Sequence, residues 1–280
     1  MNYRHAYHAG NFADVVKHAI LARVLVHLCS KPAAYRVIDT HAGAGVYDLG
    51  GPEATRSQEW HGGIGRLYRA SLDPALGSLL APYLDVVAAH NSAGRMRAYP
   101  GSPALAQAFL RAQDRLLACE LEPHAAASLK RSLSHDRRVK VVAIDGWTAL
   151  NAYVPPPERR GLVLVDPPYE DPGDFLNQAV EQAHGKWASG IYLLWYPIKG
   201  RQQPDALAGR LRRSGINKIL RAELSIRAAD PAVLTGCGLM VINPPWRLEE
   251  ELRVLLPGLV PILAGDDGAG ARIDWIAGEL

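Results

Sequence analysis

The stretch YRVIDTHAGAG, Tyr35 to Gly45, decides the fold class that the rest of the sequence must fit. Its first half is an apolar run typical of a short buried strand, from about Tyr35 to Ile38. Its second half, Asp39 to Gly45, is a polar loop whose glycines allow the backbone to pass close to a ligand. We therefore predict a strand-to-loop junction of the kind at which open α/β sheets bind ligands.

Outward from this junction, helical and strand patterns alternate along the chain. Upstream, Asn11 is positioned to cap a helix that runs to about Leu28, with Asp14 three residues later in the manner of a capping box. Downstream, the predicted helices cover residues 103–113, 123–133, 147–152, 175–187 and 204–214. The predicted strands between and after them are LLACE, VKVVAID, GLVLVD, GIYLLWYP, ILRAELSIR and GLMVINPPW.

This alternation predicts a doubly wound, mostly parallel α/β sheet with helices on both faces. No helical pattern separates the last two strands, so a hairpin should reverse the final strand. Six parallel positions followed by a reversed strand is the arrangement of the class I methyltransferase (Rossmann-like) sheet, not of the all-parallel dinucleotide-binding sheet. That likeness concerns the fold alone.

The alternation of strand and helix patterns is interrupted between residues 47 and 99. The stretches EWHGGIGRLYRA and ALGSLLAPYLDVVAAH predict two helices, joined and flanked by Gly, Ser, Asp and Pro. We therefore predict one domain built from residues 1–46 and 100–280, with an N-terminal helix within residues 1–30. Residues 47–99 would form a small inserted helical subdomain.

The composition, 48% hydrophobic and 21% charged in 280 residues, allows a large core and argues against disorder. No apolar run approaches the roughly 20 residues that span a bilayer, and the start MNYRHAYHAG lacks the apolar segment of a signal peptide. A cytoplasmic protein without membrane contact is therefore expected.

The three cysteines are far apart and lack C-x-x-C spacing, which supports neither a disulfide framework nor a metal site. A net charge of +3, with 24 arginines against 7 lysines, permits an anionic partner without requiring one.

Polar residues end several successive predicted strands. These are the loop from Asp39 to Gly45, Glu120, Asp145 and Asp166. Each acid alone is often only a turn residue, but ligands of doubly wound sheets sit beyond the carboxyl ends of the strands, so four such positions in register indicate a binding edge. Gly43 and Gly45 lack the third glycine of a dinucleotide loop, because Asp48 stands there, which counts against a pyrophosphate cradle.

The segment LVLVDPPYE, Leu162 to Glu170, carries the chemistry. An exocyclic amine of adenine is a poor nucleophile, because its lone pair is delocalised into the ring. Asp166 can accept one N–H of such an amine and the Pro167 carbonyl the other, while two prolines keep both acceptors aimed. The Tyr169 ring can stack on a base taken out of its stack, so the target must be extruded or unpaired.

Six motifs together resemble a known family. They are HAGNFADVVKH (8–18), DTHAGAG (39–45), YPGSP (99–103), DPPYE (166–170), WYP (195–197) and NPPW (243–246), and the chain resembles the J-type 23S ribosomal RNA adenine-N6 methyltransferases of bacteria over essentially its whole length. The resemblance implies methyl transfer from S-adenosyl-L-methionine to N6 of one adenine of 23S ribosomal RNA, at position 2030. It also implies RNA that is protein-free or in early assembly, with the enzyme acting as a monomer and without a metal.

The resemblance makes residues 1–46 and 100–280 the catalytic methyltransferase domain, with residues 1–30 as an N-terminal helix for substrate and cofactor. It also assigns roles to single residues of this sequence. The cofactor would be bound by His18, His41, Gly43, Ser102, Glu120, Asp145, Gly146 and Asp166. Within this set, Glu120 would bind the ribose, Asp145 with Gly146 the adenine, and Ser102 the amino acid end while also capping the helix that starts at Pro103. Catalysis would rest on Asp166, Pro167 and Tyr169. The RNA would meet a cationic N-terminal edge and the Tyr169 ring, with contacts from Tyr3, Arg4, His5 and Lys17.

A second motif of the same kind, NPPW at 243–246, competes for the catalytic role. Amino-methyltransferases use either Asp or Asn at the first position, so residue type alone cannot choose. Asp166 ends the fourth strand, next to the cofactor residues, whereas Asn243 ends the reversed strand. We therefore predict that Asp166 is catalytic and that NPPW is a strand-ending turn, either apart from the substrate cleft or lining it.

Four other functions share parts of this pattern. A DNA adenine-N6 methyltransferase uses the same chemistry, but the roughly 54-residue insertion is small for the extended readout of a DNA sequence. Methylation of a protein glutamine normally goes with Asn at the first motif position. A non-catalytic nucleotide-binding or RNA-binding module would not need the geometry that holds an amine. A nicotinamide dehydrogenase would need the third glycine and an acid about 20 residues beyond the loop.

Overall fold

The computed structural model of the protein describes residues 4–91, 95–168 and 175–278. The helices in these ranges are α1 (Phe12–Cys29), α2 (Pro52–Ser57), α3 (Ile64–Leu67), α4 (Pro74–Ala89), α5 (Ser102–Phe109), α6 (Pro123–Leu133), α7 (Gly146–Tyr153), α8 (Phe175–Lys186), α9 (Gln202–Arg213) and α10 (Leu248–Leu263). The strands are β1 (Tyr35–Asp39), β2 (Val46–Asp48), β3 (Ala98–Pro100), β4 (Arg115–Cys119), β5 (Val139–Val142), β6 (Arg160–Val165), β7 (Ile191–Ile198), β8 (Ile219–Ser225), β9 (Gly236–Ile242) and β10 (Gly270–Ala277). Two short 3-10 helices lie at His5–Tyr7 and Glu59–Gly62.

Eight strands form one sheet in the order β10-β8-β9-β7-β6-β1-β4-β5. The five strands from β7 to β5 pair in parallel, while β9 is antiparallel to both β7 and β8, so β8 again points with the parallel set. This confirms the predicted doubly wound sheet and its reversed hairpin strand. Two elements near the C-terminus were not predicted: α10 packs on the sheet, and β10 adds a second reversed strand beside β8.

Alternate side chains of each central strand enter different apolar layers. On β6, Leu162 and Leu164 join the layer formed with α1, α4, α5, α6 and α10, whereas Val163 and Val165 join the layer formed with α7, α8 and α9. All four side chains are buried. A strand covered on both faces reads as a continuous apolar run, which is why GLVLVD was recognisable in the sequence.

Helix α1 is buried along most of its length, so its polar residues are held in the interior. Its first turn is capped as predicted: the Asn11 side chain accepts a hydrogen bond from the Asp14 amide at 3.0 Å. The Asp14 carboxylate accepts one from the Gly10 amide at 2.9 Å, which satisfies a second free amide before the helix. This fixed start sets the direction of Lys17 and His18 one turn later.

Residues 40–101, between β1 and α5, form an excursion from the main sheet. Antiparallel pairing of β2 with β3 closes this excursion. The second predicted helix of this segment is α4. The first is broken into a 3-10 turn and α3, because Gly63 packs so tightly that a Cβ there would lie 2.2 Å from the Gly10 carbonyl oxygen. The division into a domain of residues 1–46 with 100–280 and an inserted subdomain of residues 47–99 stays a prediction. Across this predicted boundary, buried residues of α4 belong to the same apolar cluster as those of α1.

None of the helices in the described ranges is both long and apolar enough to cross a lipid bilayer.

Candidate active site

The carboxyl ends of the central parallel strands meet at one edge of the sheet. Asp39, the last residue of β1, is level with Ala118 on β4 and with Leu164 on β6. Glu120 and Asp166, which follow the ends of β4 and β6, therefore lie along the same edge. Convergence of the strand-ending acids was the main structural prediction from the sequence, and the strand register confirms it.

Glu120 fastens the glycine loop to β4. One carboxylate oxygen accepts a hydrogen bond from the Gly43 amide at 2.8 Å, and the other accepts one from the Glu122 amide at 2.8 Å. Gly43 has φ +64, a left-handed conformation that disfavours other residues. Each oxygen of an ionised carboxylate has a second lone pair, so Glu120 retains acceptor capacity for two hydroxyl groups.

Asp145, Gly146 and His41 form the next part of the edge. Asp145 caps α7, because one of its oxygens accepts from the amide and hydroxyl of Thr148 at 2.8 and 2.9 Å. A Cβ on Gly146 would lie 2.5 Å from the Thr40 carbonyl oxygen and 2.6 Å from the His41 ring. The start of α7 and the β1 loop are therefore in direct contact.

The His41 ring has a defined tautomer. The Thr40 hydroxyl donates to the Leu164 carbonyl at 2.9 Å, so it must accept from His41 Nδ1–H at 2.8 Å, which leaves Nε2 as an acceptor. Burial lowers the pKa of His41 to about 4, so the ring is neutral at physiological pH. Trp147 meets the ring edge-on at 5.4 Å.

An open groove of about 560 Å³ lies beside this corner, between α7 and α8. Its walls include Asp145, Trp147, Asn151, Gln178 and Gln182. Amide, indole and carboxylate groups of this kind suit a flat heteroaromatic ring with polar edges.

Asp39 is an additional buried acid that the sequence singled out only as the start of the loop. Its side chain accepts a hydrogen bond from the Ser102 hydroxyl at 2.6 Å. Burial raises the pKa of Asp39 to about 7, although the Ser102 hydrogen bond acts in the opposite direction. The expected capping role of Ser102 is wrong, because α5 begins at Ser102 itself, with Gly101 as the cap residue, and the hydroxyl is engaged by Asp39.

His18 lies in a buried aromatic cluster. Its Nδ1 is 2.7 Å from the Tyr99 hydroxyl, which in turn is 2.9 Å from the Tyr83 hydroxyl. Burial lowers the pKa of His18 to about 3, so the ring is neutral. Its Nε2 is buried and has no hydrogen-bond partner among the described residues. Because Tyr99 precedes Ser102 by three residues, His18 and Ser102 share one corner of the site.

Lys17 joins the N-terminal helix to the catalytic motif. Its ammonium lies 2.5 Å from an Asp166 oxygen and 2.8 Å from an Asp14 oxygen. Burial opposes the charge, but the two carboxylates outweigh it and raise the pKa of Lys17 well above its usual range. The Lys17 side chain is only 4% exposed, so the prediction that it belongs to an exposed RNA-binding edge is wrong. The cation instead holds Asp166.

The remaining members of the predicted RNA edge are distributed differently. Arg4 is exposed, with a guanidinium nitrogen 3.6 Å from Glu53. His5 is partly buried, and its ring nitrogen lies 3.0 Å from one Asp14 oxygen, while Lys17 contacts the other. Tyr3 and Tyr169, assigned to RNA and to stacking on the base, lie outside the described residues. Pro167 is buried directly after Asp166.

The competing motif NPPW is at the other edge of the sheet. Asn243 follows β9, which runs against β7, and its amide donates to the carbonyls of Ala188 and Gly190 before β7 at 2.7 and 2.8 Å. Trp246 is 77% exposed. NPPW is a strand-ending turn as predicted, and of the two placements left open by the sequence the structure shows the one apart from the cleft beside Asp166.

These groups fit S-adenosylmethionine. The buried, unpartnered His18 Nε2 together with Ser102 offers polar contacts for the amino acid end of the cofactor, and Glu120 keeps two lone pairs for the ribose. The free oxygen of Asp145 and the neighbouring Gly146 amide suit the edge of an adenine. The site thus combines two neutral histidines, His18 and His41, with the acceptor oxygens of Glu120, Asp145 and Asp166.

Sequence reasoning missed two members of this site. Asp14 was recognised only as a helix-capping residue and Tyr99 only as part of a motif, yet Asp14 shares the Lys17 ammonium and Tyr99 holds His18. Helical spacing gave a usable signal for Asp14, because residues 14 and 17 are one turn apart. No signal in the sequence connects Tyr99 with His18.

A family model described as RsmJ, ribosomal RNA large subunit methyltransferase D, RlmJ, matches residues 32–277. The chain is 40% identical over 282 residues to ribosomal RNA large subunit methyltransferase J of Escherichia coli strain K12, and 39% identical over 283 residues to the Haemophilus influenzae protein of that name. Both alignments cover 100% of both chains. The crystal structure of a Legionella pneumophila protein matches with a TM-score of 0.87 at 34% identity, covering 96% of this chain and 98% of that one. The chain therefore belongs to the ribosomal RNA large subunit methyltransferase J family of S-adenosylmethionine-dependent enzymes.

Proposed function

We propose that the protein transfers a methyl group to N6 of an extruded or unpaired adenine of 23S ribosomal RNA, the adenine at position 2030. One observation carries the proposal: Asp166 extends from the carboxyl end of β6, beside the cofactor-type residues, and its carboxylate is paired with the buried Lys17. An acid that only ended a strand would not need a buried cation at 2.5 Å.

The proposed chemistry depends on how the chain holds the amine. The Asp166 carboxylate accepts one N–H of the adenine amine and the Pro167 carbonyl accepts the other, which bends the nitrogen towards tetrahedral geometry and withdraws its lone pair from conjugation with the ring. S-adenosylmethionine supplies an electrophilic methyl group on a sulfonium sulfur when it is bound. After transfer the sulfur keeps the bonding electron pair and the amine nitrogen carries one proton too many, which the Asp166 carboxylate, already hydrogen-bonded to the amine, can accept.

Lys17 gives Asp166 a fixed orientation in this proposal. The ammonium contacts one Asp166 oxygen and leaves the second for the substrate amine. Because Lys17 is also bound to Asp14, which α1 holds in its first turn, the acceptor is attached to a rigid helix. Preorganisation of this kind is a large contribution to catalysis, because the acceptor does not reorganise during the reaction.

RNA is favoured over DNA by two observations. The relatives that the chain matches over their full length are named for large-subunit ribosomal RNA. The excursion between β1 and α5 is also small for an extended DNA-reading domain. Arg4, exposed near the start of α1, remains the proposed phosphate contact of the N-terminal edge.

The deciding experiment compares three substrates with the same labelled cofactor: protein-free large-subunit RNA, assembled large subunits and double-stranded DNA. We expect label in N6-methyladenine of the protein-free RNA and none in DNA, and mapping of the modified nucleotide identifies the adenine. Label confined to DNA or to protein would refute the proposed substrate.

The role of Asp166 is tested by Asp166→Ala. We expect methyl transfer to fall below detection while calorimetric affinity for S-adenosylmethionine stays within a few-fold of wild type. Asp85→Ala, which removes an exposed acid of α4, serves as the control and should leave both measurements unchanged. Turnover at the wild-type rate in Asp166→Ala would eliminate the acceptor role.

A further inference from the structure

A second groove, of about 380 Å³, lies on the excursion between β1 and α5 and is separate from the site described above. Its walls include Trp60, Tyr68, Arg69, Arg95, Met96 and Arg97. None of these residues has a role in holding the cofactor or in orienting Asp166. The groove therefore needs its own explanation.

Three arginines give this groove a positive charge. Arg69, Arg95 and Arg97 are exposed, and their guanidinium groups form no ion pair or hydrogen bond with the described residues. Of the acidic side chains in residues 47–99, Glu53 is paired with Arg4 and Glu59 with His8. Among the described residues, the three arginines at the groove therefore have no ion-pair partner.

Aromatic rings border the same groove. Tyr68 is 38% exposed, which is high for a large side chain that could pack inside. Trp60 stacks on His61 with ring centroids 3.8 Å apart and packs against Gly65, so its position is fixed. Guanidinium groups beside exposed aromatic rings form the usual surface for single-stranded nucleic acid, because the cations follow phosphates and the rings stack on bases.

The groove is attached rigidly to the candidate active site. The Ile64 amide donates to the Gly10 carbonyl at 2.8 Å, directly before the cap of α1. On the other side, Arg97 leads into β3 and then to Ser102. A strand bound in the groove would therefore have a fixed relation to Lys17 and Asp166, as an RNA substrate needs on both sides of its target base.

We propose that this groove binds a single-stranded segment of the RNA substrate outside the target adenine. Phosphates would lie against Arg69, Arg95 and Arg97, and a base would stack on Tyr68. The inference rests on the proposed function, since it assigns a second contact surface for the same RNA. A protein partner is the less favoured occupant, because the groove places three arginines that form no ion pair among the described residues beside an exposed tyrosine ring.

Salt dependence of binding to protein-free large-subunit RNA tests the inference. In the double variant Arg69→Gln with Arg97→Gln, the slope of log affinity against log salt should fall by about 1.4, at roughly 0.7 for each phosphate contact on a single strand. The control Arg159→Gln with Arg213→Gln removes the same charge from other exposed positions and should keep the wild-type slope. Tyr68→Leu should weaken binding on the order of fivefold without changing the slope.

The affinity for S-adenosylmethionine, measured by calorimetry, should be the same in all these variants. A wild-type slope in the double variant Arg69→Gln with Arg97→Gln, or an equal loss of slope in the control pair, overturns the inference. Loss of affinity for assembled subunits but not for protein-free RNA would also overturn it, in favour of a protein contact. Methylation of the same RNA by wild type is followed in parallel, so failure of the proposed function is seen separately.

Discussion

Lys17 shows how one residue links the N-terminal helix to the catalytic motif. It is enclosed between Asp14 and Asp166, and burial of a lone ammonium would be unfavourable without both carboxylates. Burial likewise opposes the charge on Asp14, yet Lys17 and His5 keep the pKa of Asp14 well below its usual range. The three charged groups are therefore interdependent, and removal of the cation leaves two acids close together.

Lys17→Met tests this dependence, because methionine fills similar space without charge. We expect the free energy of unfolding to fall by about 3 kcal/mol, since a buried ion pair loses one partner. Single-turnover methyl transfer should fall about 100-fold, because the acceptor loses its orientation. Lys17→Arg, which restores a cation, should recover part of both losses. Methyl transfer within threefold of wild type in Lys17→Met would show that Asp166 is oriented by other contacts.

Asp39 makes stability depend on pH in the opposite direction from an acid in an ion pair. Its pKa is raised by burial to about 7 in the folded chain, against about 3.9 for an unperturbed aspartate. Between these pH values the folded chain binds a proton that the unfolded chain has lost. The contribution of Asp39 is therefore fully present below about pH 4 and is lost as the pH rises towards 7.

Asp39→Asn removes this titration while keeping an acceptor for the Ser102 hydroxyl. Relative to wild type, the variant should gain about 2 kcal/mol of unfolding free energy between pH 5 and pH 7.5. Urea unfolding of both proteins at the two pH values measures this, and effects of other titrating groups such as Asp14 cancel in the difference. An equal difference at both pH values would mean that Asp39 is ionised throughout.

At the scale of elements, the contact between the start of α7 and the β1 loop determines the shape of the cofactor corner. Gly146→Ala would place a methyl group 2.5 Å from the Thr40 carbonyl and 2.6 Å from the His41 ring. Overpacking of this kind costs about 1–3 kcal/mol, so affinity for S-adenosylmethionine should fall on the order of tenfold. Calorimetry checks this, with Gly185→Ala in α8 as the control, because no atom lies within 4 Å of its Cβ position. Unchanged affinity in Gly146→Ala would show that the corner can shift freely.

Elements with local start and stop signals were predictable from the sequence. Helix α6 has the predicted bounds, because Pro123 suits the first turn and the Glu122 side chain caps the amides of His124 and Ala125. The helix predicted around EWHGGIGRLYRA is broken by a tertiary contact at Gly63, which no local pattern reports.

The region after β9 carried a usable signal that the prediction did not use. Buried leucines of α10 recur at helical spacing, at 248, 252, 255, 256, 259 and 263, but Pro257 and Pro261 within the run obscure the pattern. All but one residue of strand β10, at the edge of the sheet, are half-exposed or exposed, so its apolar signal is weak. Long-range pairs such as Lys17 with Asp166, 149 residues apart, leave no trace in composition or spacing.

At the scale of the whole molecule, sheet direction separates the two Pro-Pro motifs. Asp166 follows a parallel strand and Asn243 a reversed one, so the two residues emerge at opposite edges although their local sequences are similar. Asn243 also adopts φ +54, which Asn tolerates better than most residues, and ties the loop before β7 through two hydrogen bonds. Its contribution should therefore concern stability, and that of Asp166 catalysis.

Asn243→Ala provides the test of this separation. We expect it to lower the free energy of unfolding by about 2 kcal/mol, because the variant loses the hydrogen bonds to Ala188 and Gly190 and gains strain at a positive φ. Its methyl transfer rate per folded molecule should equal that of wild type, the reverse of the result expected for Asp166→Ala. Asn243→Gly, which relieves the backbone strain but not the lost hydrogen bonds, should fall between Asn243→Ala and wild type in stability. Loss of methyl transfer in Asn243→Ala protein that remains fully folded by circular dichroism would contradict the assignment, because an edge remote from Asp166 would then take part in the reaction.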